Sequence, residues 1–343
     1  MGAIRFAPFL SRLTNHSLKS YIASSFYFIM HKFSLGVFMN NINPVIGFIG
    51  FGEVAYNFAS GLLESGIKKI IAYDKAASQN SNIIKSRANE LGVEIKTSIN
   101  ELVENSDIII STVHGNVAYE VAKSASEFIK AGKLYVDINN TSPQTKLNIA
   151  NVIGNTNAKF VDLELFETPA RVKQKSYLLA SGDGAKTFID IMKNFEMTPN
   201  LVEGNPNKAS EIKSLANIYM KGIQALTLEL TVGAVNAGVD LKSIAPLIVK
   251  PVANIPAEKQ LSFWILRGIL HAGRKTAELD DINQALRDWN TEPVMMEATQ
   301  KRLKQFAQFD ISGFFGNDVS LDDCEKVVEK VRELSKEKGI EFK

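Results

Sequence analysis

The chain has 343 residues, 45% of them hydrophobic and 22% charged, which excludes wholesale disorder and points to about two domains at roughly 150 residues each. The formal net charge is +2, from 39 basic and 37 acidic side chains, and that balance excludes a dedicated nucleic-acid binder. One cysteine, Cys324, rules out an intramolecular disulfide and suits a reducing compartment, so a cytoplasmic location is expected.

Residues 1–43 are made differently from the rest. They hold Arg5, Arg12, Lys19 and Lys32 but no acid, and the first acidic residue is Glu53. With those cations set aside, the remaining chain is slightly acidic. Three readings of this leader stay open. In the first, translation begins at Met39, directly before Asn40-Asn41-Ile42-Asn43-Pro44; in the second, the segment is a targeting peptide, being basic, Ser-rich and acid-free; in the third, it is an amphipathic anchor. Its longest apolar run, at 21–30, is broken by Ser24 and Ser25 and falls short of the ~20 residues a membrane span needs. The resulting division is a leader at 1–43 outside the fold, a nucleotide-binding domain at 44–203 and an all-α domain at 204–343.

Pro44-Val45-Ile46-Gly47-Phe48-Ile49-Gly50-Phe51-Gly52-Glu53-Val54-Ala55 reads as a buried strand, a tight glycine turn and a helix start. Gly50-x-Gly52-x-x-Ala55 is the G-x-G-x-x-A dinucleotide fingerprint. The first glycine permits the turn, the second leaves room for a pyrophosphate, and Ala55 lets helix and strand pack closely. The helix N-terminus offers free N–H groups to the phosphates. A helix is predicted over 56–65 and a strand over 69–73 that ends at Asp74, where an acid hydrogen-bonds the adenosine ribose and repels a 2′-phosphate. This favours NAD, although the adjacent Lys75 would suit the extra phosphate of NADP.

The alternation continues with helices over 82–91, 99–105 and 117–129 and strands over 93–95, 108–112 and 134–137. Strands alternating with helices predict an α/β Rossmann fold, a doubly wound parallel sheet with right-handed crossovers. Val113 leaves a strand's carboxyl end, where ligands bind. It joins Gly47, Gly50, Phe51, Gly52, Glu53, Val54 and Asp74 as the predicted cofactor-binding set. His114, in the same loop, reads better as a polar lining residue than as a proton donor. Asn139, Asn140 and Thr141 follow the strand ending at Asp137 and are predicted to bind substrate, since amides and a hydroxyl there can take a carboxylate or hydroxyl. A polar loop before a helix over 144–152 would read the same way.

Asn205-Pro206 precedes a helical pattern from 208 to 236, and Pro206 suits a helix start. Lys213 and Asn217 lie four apart, on one helical face. An amine and a carboxamide so placed can grip one hydroxyl or carbonyl, although two polar residues on a solvated face would look identical. The same helix carries an apolar row (Ile212, Leu215, Ile218, Tyr219, Ile223, Leu226, Leu230) that must pack between domains or subunits. Further helices are predicted over 261–277, 280–289, 293–309 and 321–338. The four histidines, at 16, 31, 114 and 271, show no zinc spacing, so no metal site is predicted.

These residues resemble the β-hydroxyacid dehydrogenase superfamily, which includes 6-phosphogluconate and 3-hydroxyisobutyrate dehydrogenases. Gly47-Phe48-Ile49-Gly50-Phe51-Gly52 matches its G-x-x-G-x-G opening. The segment from Asp137 to Pro143 has the spacing of its substrate-binding D-x-S-T-x-x-P, and Lys213-Ser214-Leu215-Ala216-Asn217 matches its K-x-x-x-N segment. The stretch 271–306 is similar to a helical domain of a poorly characterised branch. The chain departs in having Asn139 and Asn140 for the Ser-Thr pair, no double glycine after the strand over 160–163, and Ala216 where 6-phosphogluconate dehydrogenases carry a His. The resemblance implies an NAD(P)-dependent dehydrogenase or reductase and a homodimer. Its substrate would be a small β-hydroxy acid or related carbonyl compound, with Lys213 as general acid/base and Asn217 orienting the substrate. An imine reductase-like enzyme and a non-catalytic dinucleotide sensor are the alternatives. No nucleic-acid or membrane partner is expected.

Overall fold

The computed structural model describes residues 43–78, 82–316 and 319–340; the leader up to residue 42, with its proposed start at Met39, lies outside them. The chain divides into two compact units at Ala216–Asn217.

The first unit is built on the strands β1 (Ile46–Ile49), β2 (Ile70–Tyr73), β3 (Glu94–Ile95), β4 (Ile108–Ser111), β5 (Leu134–Asp137), β6 (Lys159–Leu165), β7 (Leu178–Ser181) and β8 (Asn200–Leu201). They form one eight-stranded sheet in the order β3-β2-β1-β4-β5-β6-β7-β8. The longer helices of this unit are α1 (Glu53–Glu64), α2 (Asn82–Leu91), α3 (Ile99–Glu104), α4 (Ala118–Ser126), α5 (Pro143–Gly154), α6 (Ala185–Met192) and the start of α7 (Lys208–Ala237). The side-chain alternation of the strands feeds two cores. Phe48, Ile70, Ile110, Val136 and Val161 belong to one, and Ile49, Ile71, Ile109, Tyr135 and Phe160 to the other.

The expectation of a parallel sheet needs one correction, because β6 and β7 run antiparallel. A parallel return needs a crossover, usually through a helix. The link between these strands holds only the short helical turns Pro169–Val172 and Lys173–Lys175, so the chain comes back beside β6 instead of crossing the sheet. The register matters for function. Ile49 pairs with Ser111, Ser111 with Asp137, and Asp137 with Asp162. The carboxyl ends of β1, β4 and β5 are therefore level, and β6 continues past them.

The predicted domain boundary near Gly204–Pro206 lies ahead of the observed division, which falls inside α7. The reason is that the first turn of α7 is bonded to the sheet. Ala209 N–H donates to Ser181 Oγ at 3.0 Å and Ser210 N–H to Asp162 Oδ2 at 2.9 Å.

The second unit holds the rest of α7 with α8 (Leu241–Val249), α9 (Ala257–Leu270), α10 (Ala272–Asp288), α11 (Val294–Ala307) and α12 (Cys324–Glu337). Leu266, Phe309, Ile311, Val327 and Val331 form its core. The predicted helices over 261–277 and 280–289 are cut differently. The break falls at His271, which leaves helical geometry at φ −112°, and the chain then runs unbroken to Asp288. Helix α8 is an addition, hidden in the sequence by Pro246 in its interior. Glu229 on α7 ties down the start of α11 by accepting from the N–H groups of Met295 (2.6 Å) and Met296 (3.0 Å). Among the described residues, no helix is long and apolar enough to cross a membrane.

Candidate active site

The glycine turn between β1 and α1 opens onto a cleft of about 860 Å³. Gly50 sits at φ +88°, and a Cβ there would stand 2.5 Å from the Thr112 carbonyl oxygen, so only glycine fits. A Cβ on Gly52 would meet nothing within 4 Å. Gly52 also supplies no capping side chain to α1, so the first N–H groups of that helix are left for a ligand. An open position beside an uncapped helix N-terminus fits a pyrophosphate. Asp74 closes one end of the cleft. Its Oδ2 accepts from Phe51 N–H and its Oδ1 from Ala76 N–H, both at 2.8 Å, so the carboxylate also braces the glycine turn.

Of the predicted cofactor set, Gly50, Gly52, Glu53, Val54, Asp74 and Val113 line this cleft. Gly47 and Phe51 do not. Gly47 is a strand residue whose missing side chain makes room for Ser106 and Leu102, so its glycine serves the packing of α3. Phe51 is buried and packs edge-on against Phe48 at 6.2 Å; only its N–H belongs to the turn. Tyr73, Thr112, Val117, Ile83 and Ile99 also line the cleft and were not singled out by the sequence. Lys75 and His114 are there too.

The predicted substrate segment divides. Asn139 is buried, and its amide is fully engaged inside the fold. Its Oδ1 accepts from Val113 N–H at 2.6 Å, while Nδ2 donates to Ser111 Oγ at 2.9 Å and Asp137 Oδ2 at 2.7 Å. Asn139 therefore holds the cleft loop to the end of β5 and does not face a substrate. Asn140 is exposed and Thr141 half-buried, with an Oγ1 that has no partner. These two remain available. Gly115 lets the loops after β4 and β5 touch, since a Cβ there would lie 2.4 Å from the Asn140 carbonyl oxygen.

Behind Asn139 lies a cluster of charges that no sequence spacing announced. Lys146, wholly buried on α5, places its Nζ 2.8 Å from Asp137 Oδ1, 2.9 Å from Asp162 Oδ1 and 3.1 Å from Glu164 Oε1. It also donates to the Asp137 carbonyl at 2.9 Å. Burial alone would push the Lys146 ammonium down, but the carboxylates of Asp137, Asp162 and Glu164 outweigh it and hold its pKa above the ordinary lysine range. Burial pushes the Glu164 carboxyl up, an effect that Lys146 and Lys213 offset only in part and that Asp162 adds to. Asp162 and Glu164 share one face of β6 because they are two apart. That alternation of acids in an apolar strand was the one available signal.

Lys213 completes the cluster. Its Nζ lies 2.7 Å from Glu164 Oε2, with the lysine side chain 17% exposed and the glutamate 1%. Asn217 follows one turn later on α7 and is half-buried. The loop that departs from the superfamily's double glycine has its own braces. Phe166 packs edge-on against Tyr177 at 5.7 Å, and Glu167 accepts from Tyr177 N–H at 2.7 Å.

Comparison with known proteins agrees with this fold. The family model described as NADP oxidoreductase, coenzyme F420-dependent, matches residues 45–141. An uncharacterised 28.5 kDa protein of Methanothermus fervidus is 30% identical over 266 residues, covering 77% of this chain and 99% of its own. A conserved protein of unknown function, whose structure is described as similar to 3-hydroxyacid dehydrogenases, shares 27% identity at a TM-score of 0.53, over 77% of this chain and 97% of its own. The imine reductase of Myxococcus stipitatus, a V8 variant solved with NAD+, has a similar fold at 15% identity, with a TM-score of 0.66 over 84% of this chain and 100% of its own. The chain belongs to the family of the Methanothermus protein, and its fold is that of NAD(P)-binding Rossmann oxidoreductases with a helical C-terminal domain, similar to 3-hydroxyacid dehydrogenases.

Proposed function

We propose that the protein is an NAD(P)-dependent oxidoreductase that interconverts a small β-hydroxy acid, or a related alcohol, and the matching carbonyl compound. Lys213 is its general acid/base and Asn217 orients the substrate. The observation that carries this reading is the Lys213 amine, partly exposed and bonded at 2.7 Å to a buried carboxyl, since such an amine can exchange a proton while held in place. When bound, the nicotinamide supplies or accepts the hydride. The turn from Gly50 to Gly52 and the N-terminus of α1 hold the pyrophosphate, and Asp74 faces the adenosine ribose. That acid favours NAD over NADP, with Lys75 acting the other way. Asn140 and Thr141 meet the substrate's polar groups, and Asn139 fixes the loop that carries them.

The working unit in this reading is a homodimer. Ile218, Leu228, Val235 and Leu247 are 71%, 67%, 70% and 71% exposed in the single chain. That much apolar surface on α7 and α8 needs cover, and a second copy of the chain supplies it.

The test is a screen of hydroxy acids, keto acids and cyclic imines with both cofactors, read by nicotinamide absorbance for the wild type and Lys213→Ala. Turnover of a hydroxy acid or its carbonyl partner that falls at least a hundredfold in Lys213→Ala supports the reading. Turnover that survives the substitution refutes it, and cofactor binding without turnover across the panel would make the protein a sensor.

A further inference from the structure

The lysine given the proton in the reading above is one end of a buried relay of charges. Glu164 stands between Lys213 and Lys146, with one carboxyl oxygen 2.7 Å from the first ammonium and the other 3.1 Å from the second. Because Lys146 is wholly buried and clamped by Asp137 and Asp162 as well, Glu164 cannot swing away from Lys213 without leaving that clamp. We propose that Glu164 is a positioning residue that holds Lys213 as an ammonium, so that the site receives its substrate with the proton already in place and works as a reductase of a carbonyl group. This rests on the acid/base role of Lys213 and adds to it a direction and a residue.

The groups that face Glu164 decide the matter. Lys146 comes from α5, Lys213 from α7 and Asp162 from its own strand, while Asp137 of β5 joins the cluster through Lys146. On the β7 side its partner in register is Leu179, which carries no charge. Three carboxyl groups thus face two ammoniums, of which Lys213 alone reaches water. If Lys213 were neutral, all three would share the single cation of Lys146. Unpaired charge in such a place is strongly disfavoured, so the neutral amine required to abstract an alcohol proton is the form the cluster opposes. The ammonium required to donate is the form it favours.

In the reducing direction the substrate carbonyl carbon takes up a hydride from the reduced nicotinamide. The π pair of the C=O bond moves to oxygen, and the oxygen takes a proton from Lys213, leaving a neutral amine and an oxidised nicotinamide. Lys213 is 17% exposed and regains its proton from water.

The experiment compares wild type with Glu164→Gln and Glu164→Asp, each labelled with ¹³Cε-lysine, the Lys213 resonance being assigned by its loss in Lys213→Arg. Glu164→Gln leaves two carboxyl groups against two ammoniums and nearly the same volume, and a melting curve checks that it folds. The Lys213 titration midpoint should move about one pH unit or more lower in Glu164→Gln, with Glu164→Asp recovering part of that shift. With substrate, the alkaline fall of the reduction rate should move by the same amount, and oxidation near neutrality should rise about tenfold for each unit. An unchanged Lys213 titration in Glu164→Gln overturns the proposal whatever the activity, and so does a Glu164→Asp shift as large as that of Glu164→Gln. A shifted Lys213 resonance with no turnover across the panel supports the hold of Glu164 on Lys213 and overturns the oxidoreductase reading.

Discussion

Replacing Lys146 with methionine tests whether the buried cluster is an electrostatic unit or a packing accident. Methionine nearly fills the volume of the lysine stem, so the change removes the charge and leaves little cavity. Asp137 and Asp162, buried at 2.8 and 2.9 Å from the lost ammonium, are then stranded, and Glu164, at 3.1 Å, keeps Lys213 alone. Breaking a buried ion pair costs about 3–5 kcal/mol. At about 2–4 °C per kcal/mol for a domain of roughly 150–250 residues, the melting temperature should fall by about 6–20 °C near pH 7.5. The pH dependence sharpens the test. Lys146 has its pKa raised above the ordinary lysine range, so its contribution is fully present below that range and does not change between pH 5 and 8. Burial already raises the Glu164 carboxyl, and without Lys146 only Lys213 offsets it. The stability that protonation of Glu164 gives the variant is present at acid pH and lost as pH rises through the raised value. The deficit of Lys146→Met should therefore be small at pH 5 and widen toward pH 8, as followed by calorimetry. A deficit equal at both pH values, or one below about 3 °C at pH 7.5, would refute the electrostatic account.

Four further outcomes follow from the cleft and from α7. Gly50→Ala forces a side chain into a left-handed position at a cost of about 1–2 kcal/mol and drives it against the Thr112 carbonyl, so the melting temperature and the affinity for reduced cofactor should both drop. Gly52→Ala, whose Cβ meets nothing, should melt within about 0.5 kcal/mol of wild type yet bind reduced cofactor at least about tenfold more weakly by fluorescence titration; equal affinity would remove the pyrophosphate from that position. Asp74→Ala should lower the affinity for NADH more than that for NADPH, and an unchanged ratio would free the cofactor preference from Asp74. Ile218→Asp, on the exposed row of α7, should convert a dimer to a monomer by light scattering; a wild type that is already monomeric would end the dimer reading.

What was legible in the sequence and what was not follow from the range of the interactions. The turn from Gly50 to Gly52 announces itself because its glycines answer to neighbours a few residues away, and the strand after α1 ends at Asp74 where the βαβ spacing requires an acid. Lys213 and Asn217 could be paired because helix geometry fixes residues four apart. The role of Asn139 is not legible in the sequence because its amide looks the same in a substrate loop as in a buried brace, and only the positions of Val113, Ser111 and Asp137 distinguish the two. The charge cluster was invisible for a stronger reason. Asp137, Lys146, Asp162, Glu164 and Lys213 come from two strands and two helices, and no periodicity links them. Even so, β6 left a trace. An apolar strand in the middle of a sheet has no local use for acids at 162 and 164, and two acids on one face of it demand buried cations from elsewhere. One of those cations is Lys146, which can only be structural, being closed to solvent. The other is Lys213, which keeps a path to water. The same strand thus gives one lysine to the fold and the other to the chemistry, and solvent access is what separates their roles.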